Sequence, residues 1–171
     1  MRALPSQADP LRVPDLRLLA IVERCWDGIS VHGGDGTILF CNAAFGQILG
    51  AEPANLAGRD LFDFVHPDDT ARVQHDFRVM FDDPTPRAPV QYRVHHALGG
   101  WRTVECVATN LVDEPLVDGI VFTTRDVTER LLSEARLLQL ALHDPVTGLA
   151  NRTGLHTLLD QRPTVAHGTL A

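Results

Sequence analysis

Three stretches of alternating apolar and polar residues follow one another in the second half of the sequence. They span residues 90–97, 101–112 and 120–127, and only short glycine- or acid-containing turns separate them. Period-two alternation predicts strands with one buried face, and connections this short require antiparallel neighbours. The chain must therefore build an antiparallel sheet, which excludes helical bundles and parallel α/β folds.

The first half of the sequence adds two more strands and the start of a helical layer. Ile29–His32 and Thr37–Cys41 alternate around the turn sequence "GGDG", which predicts a hairpin with residues 33–36 at its tip. Asn42 is a good N-cap for the helix that follows, and Gly50 ends that helix. The resulting order β-β-α-α-α-β-β-β predicts an α+β domain with a five-stranded antiparallel sheet and helices on one face.

Further helices precede, interrupt and follow the strands. Pro67 suits the first position of a long helix, and Asp68 and Asp69 suit its positive N-terminal end. Residues 15–27 form an apolar-faced helix that Gly28 is expected to end. A second flanking helix over residues 128–142 has a heptad-like seam, with these positions: Leu131, Ala135, Leu138 and Leu142. We expect both flanking helices to mediate a homodimer.

Composition narrows the functional classes. The chain of 171 residues has no lysine and a formal net charge of −7, which argues against nucleic acid as a partner. No apolar run is long enough to cross a membrane, and residues 1–14 read as a flexible tail without a secretory signal, so we expect a cytoplasmic protein. Cys25, Cys41 and Cys106 have no zinc-type spacing, and no metal site is predicted.

Residues 26–128 resemble a PAS domain. The resemblance is carried by "DGISVHGGDGTILFCNAAFGQILG", "LAGRDLFDFVHPDD", "YRVHHALGGWRTVE" and the closing "RDVTER", in this order and spacing. It implies a sensor domain over residues 28–127 that detects small molecules, light or redox state, or that only dimerises. It also implies an internal ligand pocket, for which the candidate lining residues are Phe64, Val73, Phe77, Tyr92, Val104, Cys106 and Phe122.

Cofactor-loaded variants of this architecture are the main alternative. The resemblance places a haem ligand near His75, but a lone helical histidine is more often a surface or packing residue, so we expect no resident cofactor. A flavin photoreceptor needs a reactive cysteine on the helices, whereas Cys41 falls on a predicted strand. His66 fits a structural role at a helix start, and the adjacent His95 and His96 point to opposite faces of their strand.

The segment "HDPVTGLANR", residues 143–152, resembles the start of a GGDEF domain, which uses GTP and Mg²⁺ to make cyclic di-GMP. The resemblance implies that Asp144 and Thr147 set the geometry between the helical linker and the catalytic domain. The sequence pattern predicts that Asn151 caps the next helix, and Asp144, Thr147 and Asn151 are together candidate relay residues. Residues 143–171 are thus expected to be the truncated start of that domain, without its catalytic loop, so this chain is not expected to be an enzyme. The early "GGDG" at residues 33–36 is a hairpin turn instead.

The junction "DVT" at residues 126–128 resembles the PAS motif that joins the last strand to an output helix. Asp126 and Thr128 are therefore candidate relay residues, although plain helix capping explains them equally well. His143 is not expected to be a kinase phosphoacceptor, because Pro145 interrupts its helix. Three hypotheses follow: a regulatory module of a cyclic di-GMP cyclase, with or without a phosphodiesterase domain; a haem- or cofactor-loaded sensor; and a ligand-free interaction module.

Overall fold

The computed structural model describes residues 15–83, 85, 88–145 and 147–155. The predicted tail, residues 1–14, lies outside this range. The chain forms two compact units, residues 1–127 and residues 128–171. The first unit contains α1 (Asp15–Glu23), β1 (Gly28–His32), β2 (Ile38–Cys41), α2 (Ala43–Leu49), α3 (Pro53–Leu56), a 3₁₀ helix (Leu61–Phe64), α4 (Pro67–Asp82), β3 (Val90–His95), β4 (Trp101–Leu111) and β5 (Gly119–Asp126).

The five strands form one antiparallel sheet in the order β2-β1-β5-β4-β3. This confirms the predicted α+β fold with its five-stranded sheet and accompanying helices. The hairpins β1–β2 and β3–β4 follow from their short turns, whereas β5 returns to the centre and pairs with both β1 and β4. The last strand is therefore the one that couples the two halves of the sheet.

The hydrophobic core lies between the inner face of the sheet and the helices. Alternate residues of each strand point inwards, as the burial patterns of β3 and β5 demonstrate. The two helical aromatic residues Phe45 and Phe77 are 3% and 4% exposed and pack into this core. The hydrophobic strand side chains with the least exposure are Ile38, Val104 and Ile120.

Asn42 organises the junction between the first helix, the first hairpin and α2. Its Oδ1 accepts hydrogen bonds from the backbone N–H of Ile29 at 2.9 Å and of Phe45 at 3.0 Å. Its Nδ2 donates to the carbonyl oxygens of Val22 at 2.8 Å and Asp27 at 3.2 Å. The predicted cap is thus present, and the same side chain also satisfies backbone groups of the segment that enters β1.

The N-terminal flanking helix is shorter than the predicted 15–27. It ends at Glu23, and Gly28 is the first residue of β1 instead of a helix terminator. A Cβ at Gly28 would lie 3.0 Å from Phe45 Cα and from Ile48 Cδ1, so the glycine permits α2 to approach the sheet. Trp26, which falls within the predicted helix but after its observed end, is 99% exposed.

The second unit begins with α5 (Thr128–Leu142), a helix of fifteen residues. Every residue of α5 is described, and none of them is buried. A tight turn follows, and residues 152–155 begin another helix. Within the described residues of both units, no helix has the length and hydropathy needed to span a lipid bilayer.

Candidate functional site

A cavity of about 30 Å³ lies inside the first unit, between α4, the 3₁₀ helix and the inner face of the sheet. Its wall is mostly apolar. Five of the predicted pocket residues contribute to it: Val73, Phe77, Tyr92, Cys106 and Phe122. The remaining lining residues are Leu61, Asp76, Met80, Ala88, Val90 and Ala108. A space of this size accommodates about two water molecules or a ligand of a few heavy atoms.

Two predicted pocket residues do not line the cavity. Val104 is fully buried, but it belongs to the packed core beyond the cavity wall. Phe64 is partly buried, and the Arg59 guanidinium lies 5.4 Å from the centre of its ring. Met80 lines the cavity without having been predicted, although its spacing from Val73 and Phe77 on α4 places all three on one helix face.

The cavity wall contains a short chain of polar groups. Cys106 Sγ lies 3.3 Å from the Tyr92 hydroxyl and 3.2 Å from Thr124 Oγ1. Burial raises the pKa of the Cys106 thiol and raises the pKa of Tyr92 well above its usual value. Both groups are therefore neutral at physiological pH. The chain crosses the inner face of the sheet from β3 through β4 to β5.

The C-terminal part of α4 forms one side of the cavity and is fixed to β4. Asn110 Nδ2 donates to the carbonyl oxygens of Met80 at 2.9 Å and Phe81 at 3.0 Å, which satisfies two backbone acceptors near the end of α4. Asp76 is 38% exposed and lies 3.7 Å from the Arg72 guanidinium. This carboxylate therefore marks the side of the cavity that is nearest to solvent.

A second buried polar group lies under α2. His32 is fully buried, and its Nε2 lies 2.8 Å from Ser30 Oγ. Among the described residues, His32 Nδ1 has no hydrogen-bond partner. The ring packs edge-on against Phe122, with 5.0 Å between the ring centres. Burial lowers the pKa of His32 to about 4, so the imidazole is neutral near pH 7.

The other titratable candidates lie away from the cavity. His75 is exposed on α4, on the opposite side from Val73 and Phe77, so it does not support a haem ligand in the interior. His66 is the N-cap of α4, and its Nδ1 accepts a hydrogen bond from Asp68 N at 3.1 Å. Burial raises the pKa of Cys41, which lies on β2, to about 11.

Haem does not fit the described site. A cavity of about 30 Å³ is too small for the macrocycle, and the residues that line it include no histidine. Within the described ranges, no group of three or more histidine, cysteine or acidic side chains is arranged to hold a metal ion. The buried cysteine in the wall has a raised pKa, which disfavours the thiolate that would bind iron.

Two ion pairs lie where β5 ends. Asp126 Oδ2 accepts a hydrogen bond from Arg102 Nη1 at 2.6 Å, which joins the end of β5 to the start of β4. Arg125 forms a two-point contact with Asp27, at 2.9 Å and 2.7 Å, which joins β5 to the residue before β1. The sequence analysis identified Asp126 but missed the Asp27 pair, because 98 positions separate its members.

In the second unit, the relay candidate Thr128 is the first residue of α5, and the other three relay candidates lie in the turn after that helix. Asp144 Oδ1 accepts from Thr147 N at 2.9 Å and from Thr147 Oγ1 at 3.0 Å. Asn151 Nδ2 donates to Ala141 O at 2.9 Å, and Asn151 Oδ1 accepts from Gly154 N at 3.0 Å. Asn151 therefore caps the end of α5 and the start of the next helix simultaneously.

A family model described as "PAS fold" matches residues 10–132, which is well over half of the chain. The chain therefore belongs to the PAS fold family. A curated relative, an uncharacterized signaling protein of Caulobacter vibrioides, is 31% identical over 164 residues. This match covers 92% of the present chain but only 18% of the relative, so the chain spans less than a fifth of that protein.

Two solved structures illustrate the structural similarity. The PAS domain of an HTR-like protein from Haloarcula marismortui is 28% identical, with a TM-score of 0.54, and the match covers 64% of this chain and 88% of that one. The PAS domain of a LuxR-family transcriptional regulator from Burkholderia thailandensis, solved in complex with ethanol, is 18% identical, with a TM-score of 0.53. That match covers 66% of this chain and 97% of the other, and it establishes similarity of fold alone. The chain is thus a PAS sensory domain of the kind found in signalling proteins.

Proposed function

We propose that this chain is the sensory and dimerisation module of a cyclic di-GMP signalling enzyme, a diguanylate cyclase with or without a phosphodiesterase domain. In this proposal residues 28–127 are the sensor, residues 128–142 the linker, and residues 143–171 the start of a GGDEF domain. The parent enzyme then uses GTP and Mg²⁺ in a catalytic domain that follows. The low coverage of the curated relative is compatible with such a larger protein.

The observation that carries the proposal is the double cap that Asn151 makes between α5 and the helix at 152–155. The resemblance of "HDPVTGLANR" to the start of a GGDEF domain implies a fixed joint at this point. The hydrogen bonds of Asp144, Thr147 and Asn151 provide one, because they hold the turn at its start, middle and end. A linker rotation is then passed on to the next domain instead of being absorbed by the turn.

The experiment uses the protein encoded by the complete reading frame. It is incubated with GTP and Mg²⁺, or with cyclic di-GMP, and the nucleotides are separated by chromatography. Cyclic di-GMP synthesis or breakdown by the complete protein, with none by the present chain alone, supports the proposal. A complete protein with neither activity contradicts it.

The relay within this proposal runs from Asp126 and Thr128 to Asp144, Thr147 and Asn151. Loss of the Arg102 contact in Asp126→Ala is expected to remove about 1 to 2 kcal/mol, which leaves the domain folded. That amount is comparable to a typical coupling free energy, so the complete protein is expected to lose its response to the signal. If Asp126→Ala is folded and the complete protein responds to the signal as the wild type does, the relay does not run through Asp126.

The sensor's signal in this proposal is a small molecule bound in the cavity. The cavity is apolar with a few polar groups, which is the usual character of a ligand site, and the similar PAS domain from Burkholderia thailandensis was solved with ethanol. The small volume of about 30 Å³ favours a second candidate, a ligand-free interaction module. Binding of small organic molecules to the purified chain distinguishes these two candidates.

A further inference from the structure

The polar chain beside the cavity has one hydrogen atom more than its two contacts use. Tyr92, Cys106 and Thr124 contribute one hydroxyl or thiol hydrogen each. The two contacts of Cys106 Sγ, at 3.3 Å to Tyr92 and 3.2 Å to Thr124, use two of the three hydrogens. Among the described residues, the Tyr92 hydroxyl has no other partner than Cys106. The direction of the hydrogen bonds therefore decides which hydrogen is left for the cavity.

The Cys106 thiol donates its one hydrogen to the Tyr92 oxygen. Thr124 therefore donates to Cys106 Sγ. The Tyr92 hydrogen is then left without a partner among the described residues and is available to a molecule in the cavity. An acceptor atom in the cavity stabilises this arrangement, because a buried donor without a partner is unfavourable.

The rest of the wall restricts the kind of molecule that supplies this acceptor. No lining residue is basic, and the carboxylate of Asp76 disfavours an anion. The apolar side chains that surround Tyr92 disfavour any ionised ligand, because a charge buried there has no counter-ion. The volume of about 30 Å³ limits the ligand to a few heavy atoms.

We infer that the Tyr92 hydroxyl is the specificity-determining donor for a small neutral ligand with an acceptor oxygen, that is, a short-chain ketone, aldehyde or alcohol. The inference rests on the proposed ligand-sensing function and names the ligand class of that site. Binding completes the hydrogen-bond chain from Thr124 through Cys106 to Tyr92, and Thr124 lies on β5 two residues before Asp126. The hydrogen bonds from Tyr92 through Cys106 to Thr124 thus connect the ligand to β5, the strand that leads to the output helix.

The test compares acetone with isobutene, a hydrocarbon of nearly the same shape that lacks the acceptor oxygen. Each is titrated into the ¹⁵N-labelled full chain, and amide shifts of Cys106 and Thr124 give the dissociation constants. Acetone is expected to bind with a constant on the order of 1 mM, because so few atoms make contact. Tyr92→Phe keeps the ring but removes the donor, and is expected to weaken acetone about fivefold to tenfold while isobutene changes less than twofold.

Cys106→Ala provides a second variant with a different expectation. It removes the thiol that donates to the Tyr92 oxygen but keeps the Tyr92 hydrogen, so the affinity for acetone relative to isobutene is expected to change less than twofold, and isobutene binding reports the enlarged space. Equal weakening of both molecules by Tyr92→Phe, or an unchanged acetone affinity in both variants, overturns the inference but leaves a ligand-binding cavity. If neither molecule binds the wild-type chain, the ligand-sensing part of the proposed function fails as well.

Discussion

The core leucines of the PAS domain and the leucines of α5 have opposite environments. In the PAS domain Leu49, Leu56 and Leu61 are 2%, 1% and 2% exposed. In α5, Leu132 and Leu138 are 65% and 62% exposed, and no residue of the helix is buried. An isolated helix of about fifteen residues is marginally stable in water. The PAS domain is therefore stabilised by its own core, whereas α5 gains stability from burial only when a partner covers its leucines.

The largest expected effect comes from a comparison of the same leucine-to-alanine substitution in the two regions. Leu56→Ala removes a buried side chain and is expected to lower the free energy of unfolding by about 2 to 5 kcal/mol. Leu132→Ala makes the same chemical change at an exposed position and is expected to change it by less than about 0.5 kcal/mol. Urea unfolding of both variants measures the difference. Equal destabilisation by the two changes contradicts the comparison.

The second prediction concerns the buried His32 in the PAS domain. Its pKa is about 4 in the folded chain because of burial, against 6.5 for an unperturbed histidine. The unfolded chain therefore binds the proton first, so stability is complete above about pH 6.5 and falls as the pH drops towards 4. The expected loss over this window is about 3 kcal/mol. The measurement is urea unfolding at a series of pH values.

His32→Gln removes this titration, so the slope of stability against pH between about 6.5 and 4 is expected to flatten, whatever the stability of the variant at pH 7. The matched control is His75→Gln, because His75 is an exposed histidine of the same domain. The control is expected to keep the wild-type slope. An unchanged slope in His32→Gln means that another group causes the acid destabilisation.

Local sequence signals accounted for much of the fold. The alternation of β3, β4 and β5 and the capping by Asn42 and Gly50 are determined by neighbouring residues, and the structure contains each of them. The end of α1 is different. Gly28 is a typical helix terminator, but α2 packs directly over it, and such a tertiary contact is not visible in a local pattern.

In the candidate site too, features set by neighbouring residues were predictable from the sequence, whereas features set by tertiary contacts were not. Phe77 and Tyr92 were identifiable as pocket residues because their elements and inward faces follow from periodicity. Whether an inward-facing residue borders a cavity or fills the core depends on its distant neighbours, and Val104 belongs to the packed core. The hydrogen-bond chain from Tyr92 to Thr124 also depends on the register of three strands, which single-sequence patterns do not determine.

The third prediction tests whether a second copy of the chain covers α5. Leu138→Glu places a charge in the heptad-like seam, so the dimer is expected to dissociate at least about tenfold more readily. Gln139→Glu adds the same charge one position away from the seam and is expected to have a much smaller effect. Light scattering over a concentration series gives both constants. A wild-type chain that is monomeric at the highest concentration contradicts the dimer.

The smallest expected effect compares ion pairs in the two regions. Asp69 accepts a hydrogen bond from Arg93 N at 2.9 Å and lies 2.9 Å from the Arg93 guanidinium, so it joins α4 to the edge strand β3. In α5, Arg130 and Glu134 lie 3.5 Å apart, and both are more than half exposed. Exposed pairs within a helix contribute little, whereas Asp69 also satisfies a backbone donor. We expect Asp69→Asn to lower the free energy of unfolding by about 1 kcal/mol and Glu134→Gln to have no measurable effect.

The pH dependence of the Asp69 contribution distinguishes it from that of His32. Hydrogen bonds from Arg93 hold the pKa of Asp69 at about 2, below the usual 3.8. Because the folded pKa is lowered, the contribution is complete above about pH 3.8 and is lost as the pH falls towards 2. This window begins where that of His32 ends, so the difference in stability between wild type and Asp69→Asn should stay constant from pH 7 to about 4 and shrink below it. A difference that shrinks between pH 6.5 and 4 instead means that Asp69 acts through the histidine-containing core and not through β3.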